Sequence, residues 1–253
     1  MMIDLSDITF NIPVKYDTDD RIENLKVIVD YLNKHFITNI IVMERDKEPK
    51  FEFIKEKCQY VFEKTDENNL RRTYCLNKMC LLSKTPYISN YDTDVLFQIK
   101  DYIDTLELLK NGAEMVYPYN GKFLECNRKQ FFKSIKESLS VDCVVSQKLP
   151  YLHPNSLGGA IFWNKESFIK IGMENEKFIS WGWEDNERYE RAKKFGLNIK
   201  RTSGNLYHLE HRRLTDSSPK TPFINKNKQE FNRIKNMNKE QLIEEIKKWE
   251  WCQ

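Results

Sequence analysis

No apolar run in this chain of 253 residues approaches the ~18–20 residues that a membrane-crossing helix requires. The N-terminus also lacks the basic, then apolar, then small-residue layout of a secretory leader. The expected compartment is therefore the cytosol of whatever cell makes it. Six cysteines (Cys58, Cys75, Cys80, Cys126, Cys143 and Cys252) form no C-x-x-C pair and lie mostly in apolar stretches. That pattern argues for reduced thiols rather than a disulfide or zinc framework. Glycine is sparse and late: the first is Gly112, so no glycine-rich phosphate loop opens the chain. H-E-x-x-H is missing as well, which removes zinc-protease chemistry. With no internal repeat, low-complexity tract or linker, one compact domain over residues 1–253 is expected.

What is present begins with 13% aromatic residues, a content that excludes disorder and supplies an ample core. The formal charge of +3 hides an asymmetry. Residues 188–253 carry sixteen Lys or Arg against eight Asp or Glu, net +8, which leaves net −5 on residues 1–187. A basic C-terminal third is either a solvated surface or an attractor for a nucleotide diphosphate or an acidic glycan. Its cations are scattered and no binding motif accompanies them, so a nucleic-acid partner is not expected.

The first half alternates strands and helices. Ile8–Ile12 is a β-type run closed by Pro13, and Asp19 or Asp20 caps a helix with Ile22, Leu25, Ile28, Val29, Leu32 and Phe36 on the 3.6-residue period. Asn39–Met43, ending at Glu44, is a continuous apolar run suited to a strand buried on both faces. Strands over 59–62 and 87–91 flank a helix over 68–83. This succession predicts an α/β fold with a doubly wound, mostly parallel sheet and a ligand site at the carboxyl ends of its strands. The second half is less regular, with a helix over 127–139, strands over 141–146 and 159–163, and helices over 165–171, 184–195 and 238–249. Six of the eight glycines fall between 158 and 204, where a backbone can approach a ligand closely.

Three motifs carry the chemistry. In Ser180-Trp-Gly-Trp-Glu-Asp-Asn-Glu-Arg-Tyr-Glu-Arg191, two indoles lead into Glu184 and Asp185. A helix N-terminus favours acids by about 0.3–1 kcal/mol through its dipole, but it has no need of indoles. A sugar site wants both: flat rings for the pyranose face, and a carboxylate whose pKa an apolar wall raises until it takes a hydroxyl proton. Gly182 would let the backbone approach the sugar. Asp92-Thr93-Asp94 follows the fourth strand; side chains two apart on an extended strand end point the same way, so both carboxylates can face one cation. His208 and His211, two of only four histidines, would complete a site for Mn²⁺ or Mg²⁺. Together the three point to a metal-dependent sugar transferase.

At these residues a family comes into view. The run from Leu157-Gly-Gly-Ala-Ile-Phe-Trp-Asn164 through Ser180-Trp-Gly-Trp-Glu-Asp-Asn-Glu187 resembles the C-terminal half of the β-1,4-galactosyltransferases, and equally the bacterial chondroitin-polymerase type of transferase. The family pattern places a Gly-Gly strand, a Phe-x-x-x-Gly helix and an Asn-x-x-[Phe/Tyr] turn before Trp-Gly-x-Glu-Asp. Upstream, Ile12-Pro-Val-Lys15 resembles its Pro-x-Arg nucleotide loop, Arg72 to Asn77 its Arg-x-x-x-x-Asn helix, and Asp92-Thr-Asp94 its D-x-D. The likeness spans residues 8–213 in the right order.

What the resemblance implies is a GT-A fold, with a Rossmann-like UDP-binding half over about residues 1–97 and an acceptor-binding and catalytic half over about 98–215; beyond it, the residues read as a basic helical extension over about 216–253. The implied reaction is inverting transfer of a hexose or N-acetylhexosamine, galactose or GalNAc favoured, from a UDP-sugar to a glycan hydroxyl. Asp185 would be the general base and Glu184 the partner of a sugar hydroxyl. Trp181, Gly182 and Trp183 would form the acceptor and sugar-stacking surface. Pro13, Lys15, Glu44, Arg72, Asp92, Asp94 and Gly159 would line the donor site; Asp92, Asp94, His208 and His211 would hold the metal. Partners would be the UDP-sugar, a carbohydrate acceptor and, peripherally, a glycan-assembly complex.

The chain departs from the pattern at Lys15 in place of Arg, at Trp183 in place of a small residue, and at His208 where the animal enzymes carry Met. Asn186-Glu187, where those enzymes have aspartates, is closer to the bacterial branch. The alternatives are a nucleotidyltransferase, weakened by the missing glycine loop, and a non-catalytic nucleotide-sugar-binding subunit. In the basic extension, Leu242, Ile243, Ile246 and Trp249 form a stripe that packs on the catalytic domain or docks a partner.

Overall fold

The first hydrophobic run becomes a twelve-residue strand, Ile3–Val14 (β1), in a computed structural model that describes residues 2–253. From Ile8 onward every residue of β1 is buried, as befits a strand covered on both faces. Phe36–Asp46 (β2) pairs with it in parallel, Gln59–Lys64 (β3) extends β2, and Tyr87–Tyr91 (β4) lies along the other side of β1. The strand runs through Pro13 because β4 pairs with it only as far as Asn11, so the proline sits where an edge begins.

Across the sheet the order is Ile199–Arg201, Met115–Tyr117, Ala160–Asn164, β4, β1, β2, β3. Ala160–Asn164 is antiparallel to both of its neighbours and the other pairings are parallel, which is the mostly parallel α/β sheet that the sequence predicts. Aromatic rings fill the centre: Phe10 meets Tyr91 and Phe162 edge-on at 5.4 and 5.5 Å, and the Tyr91 and Tyr102 hydroxyls hydrogen-bond at 2.6 Å. A second, four-stranded sheet has the order Val95–Leu96, Leu206–Leu209, Phe123–Cys126, Tyr151–His153.

Helices form at Asp19–His35, Arg72–Leu82, Lys165–Lys170 and Glu184–Phe195, close to their expected bounds. The last stops at Gly196, which takes the left-handed conformation (φ +77°) that closes a helix most easily when no Cβ is present. Residues 141–146 differ from expectation. They contain a short helix, Asp142–Val145, and no strand, since periodicity does not separate the two in so short an apolar run. Helices Ile99–Lys110 and Ile224–Lys235 were not anticipated either. The second sheet escaped because strands of two to four residues are too short to show a period.

The basic extension packs against the catalytic half. The Arg191 guanidinium lies 5.3 Å from the Trp249 ring, the Trp251 indole N–H donates to Gly172 O (3.2 Å), and Lys194 Nζ donates to the Ile234, Lys235 and Met237 carbonyls that end helix Ile224–Lys235. Trp249 is 1% exposed and shares a cluster with Ile234 and Leu242. No helix among the described residues is long and apolar enough to cross a membrane. Trp249→Ala should lower unfolding free energy by about 3–5 kcal/mol in urea titration, the cost of emptying a packed indole site. A loss under about 1 kcal/mol would mean that the extension is held elsewhere.

Candidate active site

β4 ends at Tyr91 and the chain turns at once, so Asp92, Thr93 and Asp94 do not continue an extended strand. Side-chain alternation fails there, and the two carboxylates part. Asp92 accepts from Arg72 Nε (3.1 Å) and Nη2 (2.8 Å), outside any metal-binding group. Asp94 turns instead towards the histidines. The expectation of two aspartates facing one cation therefore gives way to one.

The small sheet explains how Asp94 meets them. In strand Leu206–Leu209, His208 is registered against Val95 on one side and Glu125 on the other. His211 follows two residues past the strand. One ligand atom each from Asp94, His208 and His211 lie within 4.8 Å of one another. His208 Nδ1 faces Glu125 Oε2 at 2.6 Å, and His211 Nδ1–H donates to Arg212 O at 2.8 Å. Both imidazoles thereby aim Nε2 at Asp94, at 3.9 and 3.0 Å.

With Nδ1 of His211 committed as donor, its Nε2 presents a lone pair to a carboxylate oxygen. Either an imidazolium proton or a cation must stand between them. One carboxylate and two imidazoles, oriented through their far nitrogens, fit a first-row divalent ion. Burial opposes ionisation of Asp94, but His208, His211 and Arg21 hold its carboxyl well below the usual range. Arg21, which the sequence reading passed over, reaches Asp94 Oδ2 (3.2 Å) and Thr93 Oγ1 (3.0 Å) while Asp17 anchors it at 3.0 Å.

The acid pair opens helix Glu184–Phe195. Trp183 caps it with φ +74° and no side-chain hydrogen bond. Glu184 is 9% exposed, and burial with the Asp185 charge beside it pushes its carboxyl up to about 7. Asp185, whose side chain is 30% exposed, is also raised, burial outweighing the opposing pull of Arg188 and Arg72. Arg188 is fully buried and donates to Asp185 Oδ1 and to Glu174 Oε1 (2.6 Å), while Asn90 holds Glu174 at 2.6 Å. With Oδ1 tied, Oδ2 lies against the backbone of Gly158, where a Cβ would come within 2.5 Å of it. Arg72 completes the cluster; its buried Nη1 has no partner.

Other expected donor residues have structural duties. Glu44 is wholly buried and its carboxylate accepts from the Lys50 and Phe51 amides (2.8 and 3.0 Å) and the Tyr60 hydroxyl, so both oxygens are engaged in a loop clasp away from the surface. Lys15 pairs with Asp46 at 3.2 Å, and Pro13 is buried in β1. Gly159 (φ +86°) is required by packing, since a Cβ there would come within 2.4 Å of Leu206. Trp181 is half-buried. Trp183, expected at the sugar, stacks on Phe231 of the extension at 5.2 Å and 23°. A cleft of about 780 Å³ between the extension and residues 176–179 contains none of the metal or acid residues; ion pairs such as Arg233–Glu245 line it. Arg21, Glu125, Gly158, Glu174 and Arg188 are the site residues that sequence reasoning missed. Of these, Gly158, Glu174 and Arg188 lay inside the motif run over residues 157–191, while Arg21 and Glu125 lay outside every motif singled out.

Comparisons with known proteins bear on the fold. Residues 139–212 match the family model described as the N-terminal domain of galactosyltransferase. No curated protein sequence matches the chain. The catalytic domain of Drosophila β-1,4-galactosyltransferase 7, solved with xylobiose, superposes with a TM-score of 0.57 at 15% identity, over 91% of this chain and 81% of that one. A mutant of that enzyme, solved with manganese, UDP-Gal and xylobiose, gives 0.52 at 15% identity over 81% and 71%. Glucosyl-3-phosphoglycerate synthase from Mycobacterium tuberculosis, solved with Mn²⁺, UDP and phosphoglyceric acid, gives 0.53 at 13% identity over 88% and 78%. The architecture is that of the GT-A fold, and residues 139–212 are similar to the galactosyltransferase family.

Proposed function

We propose that this protein transfers a hexose or N-acetylhexosamine from a UDP-sugar to a carbohydrate hydroxyl with inversion, and that Asp185 is the general base. The observation that carries the reading is the setting of Asp185: Arg188 fixes one oxygen, and the other faces the Gly158 backbone in a cluster with Glu184, Arg72 and Asp92. A carboxylate so held takes the acceptor proton as its oxygen attacks the anomeric carbon from the face opposite the departing diphosphate. Burial keeps the proton affinity of Asp185 above that of an exposed aspartate, which strengthens it as a base. Glu184, whose carboxyl burial and the Asp185 charge push up to about 7, would donate or accept a hydrogen bond with a sugar hydroxyl. The free Nη1 of Arg72 is a donor for an anionic group of the nucleotide sugar. A divalent cation held by Asp94, His208 and His211 would neutralise charge on the departing diphosphate.

Three measurements test this. Asp185→Asn should retain Mn²⁺-dependent UDP binding in calorimetry and lose roughly 10²–10⁴ in transfer rate; undiminished turnover would remove Asp185 from the base role. Asp94→Ala and His211→Ala should each weaken UDP binding in Mn²⁺ by about tenfold or more, with little change in EDTA. Equal affinity of the wild type with and without EDTA contradicts the metal assignment. The third concerns pH. Glu184 titrates near 7 when folded and near 4.5 when unfolded, so its contribution to stability is full below 4.5 and is lost as pH rises through 7. Glu184→Gln removes that loss. Its melting temperature relative to wild type should therefore climb between pH 5 and pH 8, and a flat difference would show that Glu184 is not buried as described.

A further inference from the structure

Helix Ile224–Lys235 lies along the loop that brings Trp181 and Trp183 to the site. Ile224, Asn227 and Phe231 are spaced three and four apart and so share one face of the helix. Each meets a different part of the loop. The Ile224 Cδ1 atom closes the space over Gly182, where a Cβ would come within 2.9 Å of it. Asn227, fully buried, accepts from Ile179 N (3.3 Å) and donates to Ile179 O (2.9 Å) and Trp181 O (3.3 Å). Phe231 stacks on the Trp183 indole at 5.2 Å.

The loop so held is one that resists its own conformation. Ser180 (φ +63°) and Trp183 (φ +74°) are non-glycine residues in the left-handed region, on either side of Gly182 at +105°. Such residues persist only where the surroundings over-determine them. Ser180 is pinned on its other side, its amide donating to Leu70 O (3.0 Å) and its hydroxyl to Asp216 O (2.6 Å). Glu184 and Asp185 follow Trp183 directly, so the position of the acids depends on the loop. By contrast, no hydrogen bond or stack of Asn227 or Phe231 reaches Arg72, Asp92, Asp94, His208 or His211 among the described residues.

We infer that the C-terminal extension is a positioning element of the acceptor site: its helix 224–235 holds loop 179–183 so that the sugar acceptor is received there, and Asn227 and Phe231 set acceptor use without setting nucleotide binding. The inference rests on the proposed transferase reading of that site. The ligand class is a carbohydrate, met by the half-buried Trp181 and by the Trp183 edge that Phe231 leaves free, with Lys228 Nζ 5.7 Å from the Trp183 ring.

Asn227→Ala tests it, with Phe231→Leu as a second variant that keeps an apolar core. In either, hydrogen exchange at the amides of residues 179–183 should quicken by roughly tenfold while the β1 and β4 amides keep their protection. UDP affinity in Mn²⁺ should stay within about twofold of wild type. For the best sugar found in an acceptor panel, kcat/KM should fall about tenfold or more, chiefly through KM. Unchanged loop exchange in both variants overturns the proposal, and so does a fall in UDP affinity that parallels the loss of transfer. The two readings fail separately: full turnover in Asp185→Asn beside a mobile loop in Asn227→Ala would remove the base and leave the strap.

Discussion

The candidate site depends on arginines, buried or largely so, that hold carboxylates close to one another. Arg72 fixes Asp92, Arg188 joins Glu174 to Asp185, and Arg21 joins Asp17 to Asp94. Arg188 and Glu174 are essentially without exposure, so neither charge has water as an alternative partner. Removing one member of such a pair typically costs about 3–5 kcal/mol, because the other is left charged and dry. Carboxylates outnumber guanidiniums here, and the surplus shapes the chemistry. Burial first, and neighbouring carboxylates after it, keep Glu184 and Asp185 reluctant to ionise fully.

Geometry then divides the acids by role. Asp94 is held below the ordinary range by two imidazoles and a guanidinium, which suits a ligand that must stay ionised. Asp185 is held above it, which suits a proton acceptor. Two aspartates in one cleft are thus driven apart by their neighbours, the pattern by which paired titratable groups take different tasks. Arg188 contributes orientation as well as charge. By engaging Oδ1 it leaves Oδ2 as the oxygen facing Gly158, and Glu174 behind it draws off part of the positive charge that would otherwise lower the proton affinity of Asp185.

Much of this was legible where a residue type is demanded by local chemistry. The apolar runs of β1 and β2 announced buried parallel strands, the Gly196 stop set the end of the acid-led helix, and the spacing of His208 and His211 brought out the metal corner. What stayed hidden was long-range. Arg21 sits 73 residues from Asp94, and Glu125 sits 83 from His208; only the register of the small sheet and the first helix brings them together. Glu44 differs from expectation for a related reason. A strand-end acid reads the same whether it faces a ligand or clasps a loop, and the amides of Lys50 and Phe51 decided the matter for Glu44. Helix Ile224–Lys235 was missed because its stretch is rich in Lys and Asn and shows few apolar residues, so its docking face became visible only against the loop it covers.

Trp183 shows how these levels meet. The resemblance to galactosyltransferases marks it as a departure, an indole where the family keeps a small residue. The left-handed backbone there explains the small residue, since a side chain in that region costs about 1–2 kcal/mol. An indole is tolerable only if something offsets that cost. Stacking on Phe231 does so, aromatic pairs contributing about 0.5–1.5 kcal/mol beyond the area they bury. The substitution at 183 and the helix that carries Phe231 therefore belong together: without the extension, Trp183 would be a strained and unpartnered ring beside the base. The unusual residue of the motif is thus explained by the C-terminal helix on which it rests.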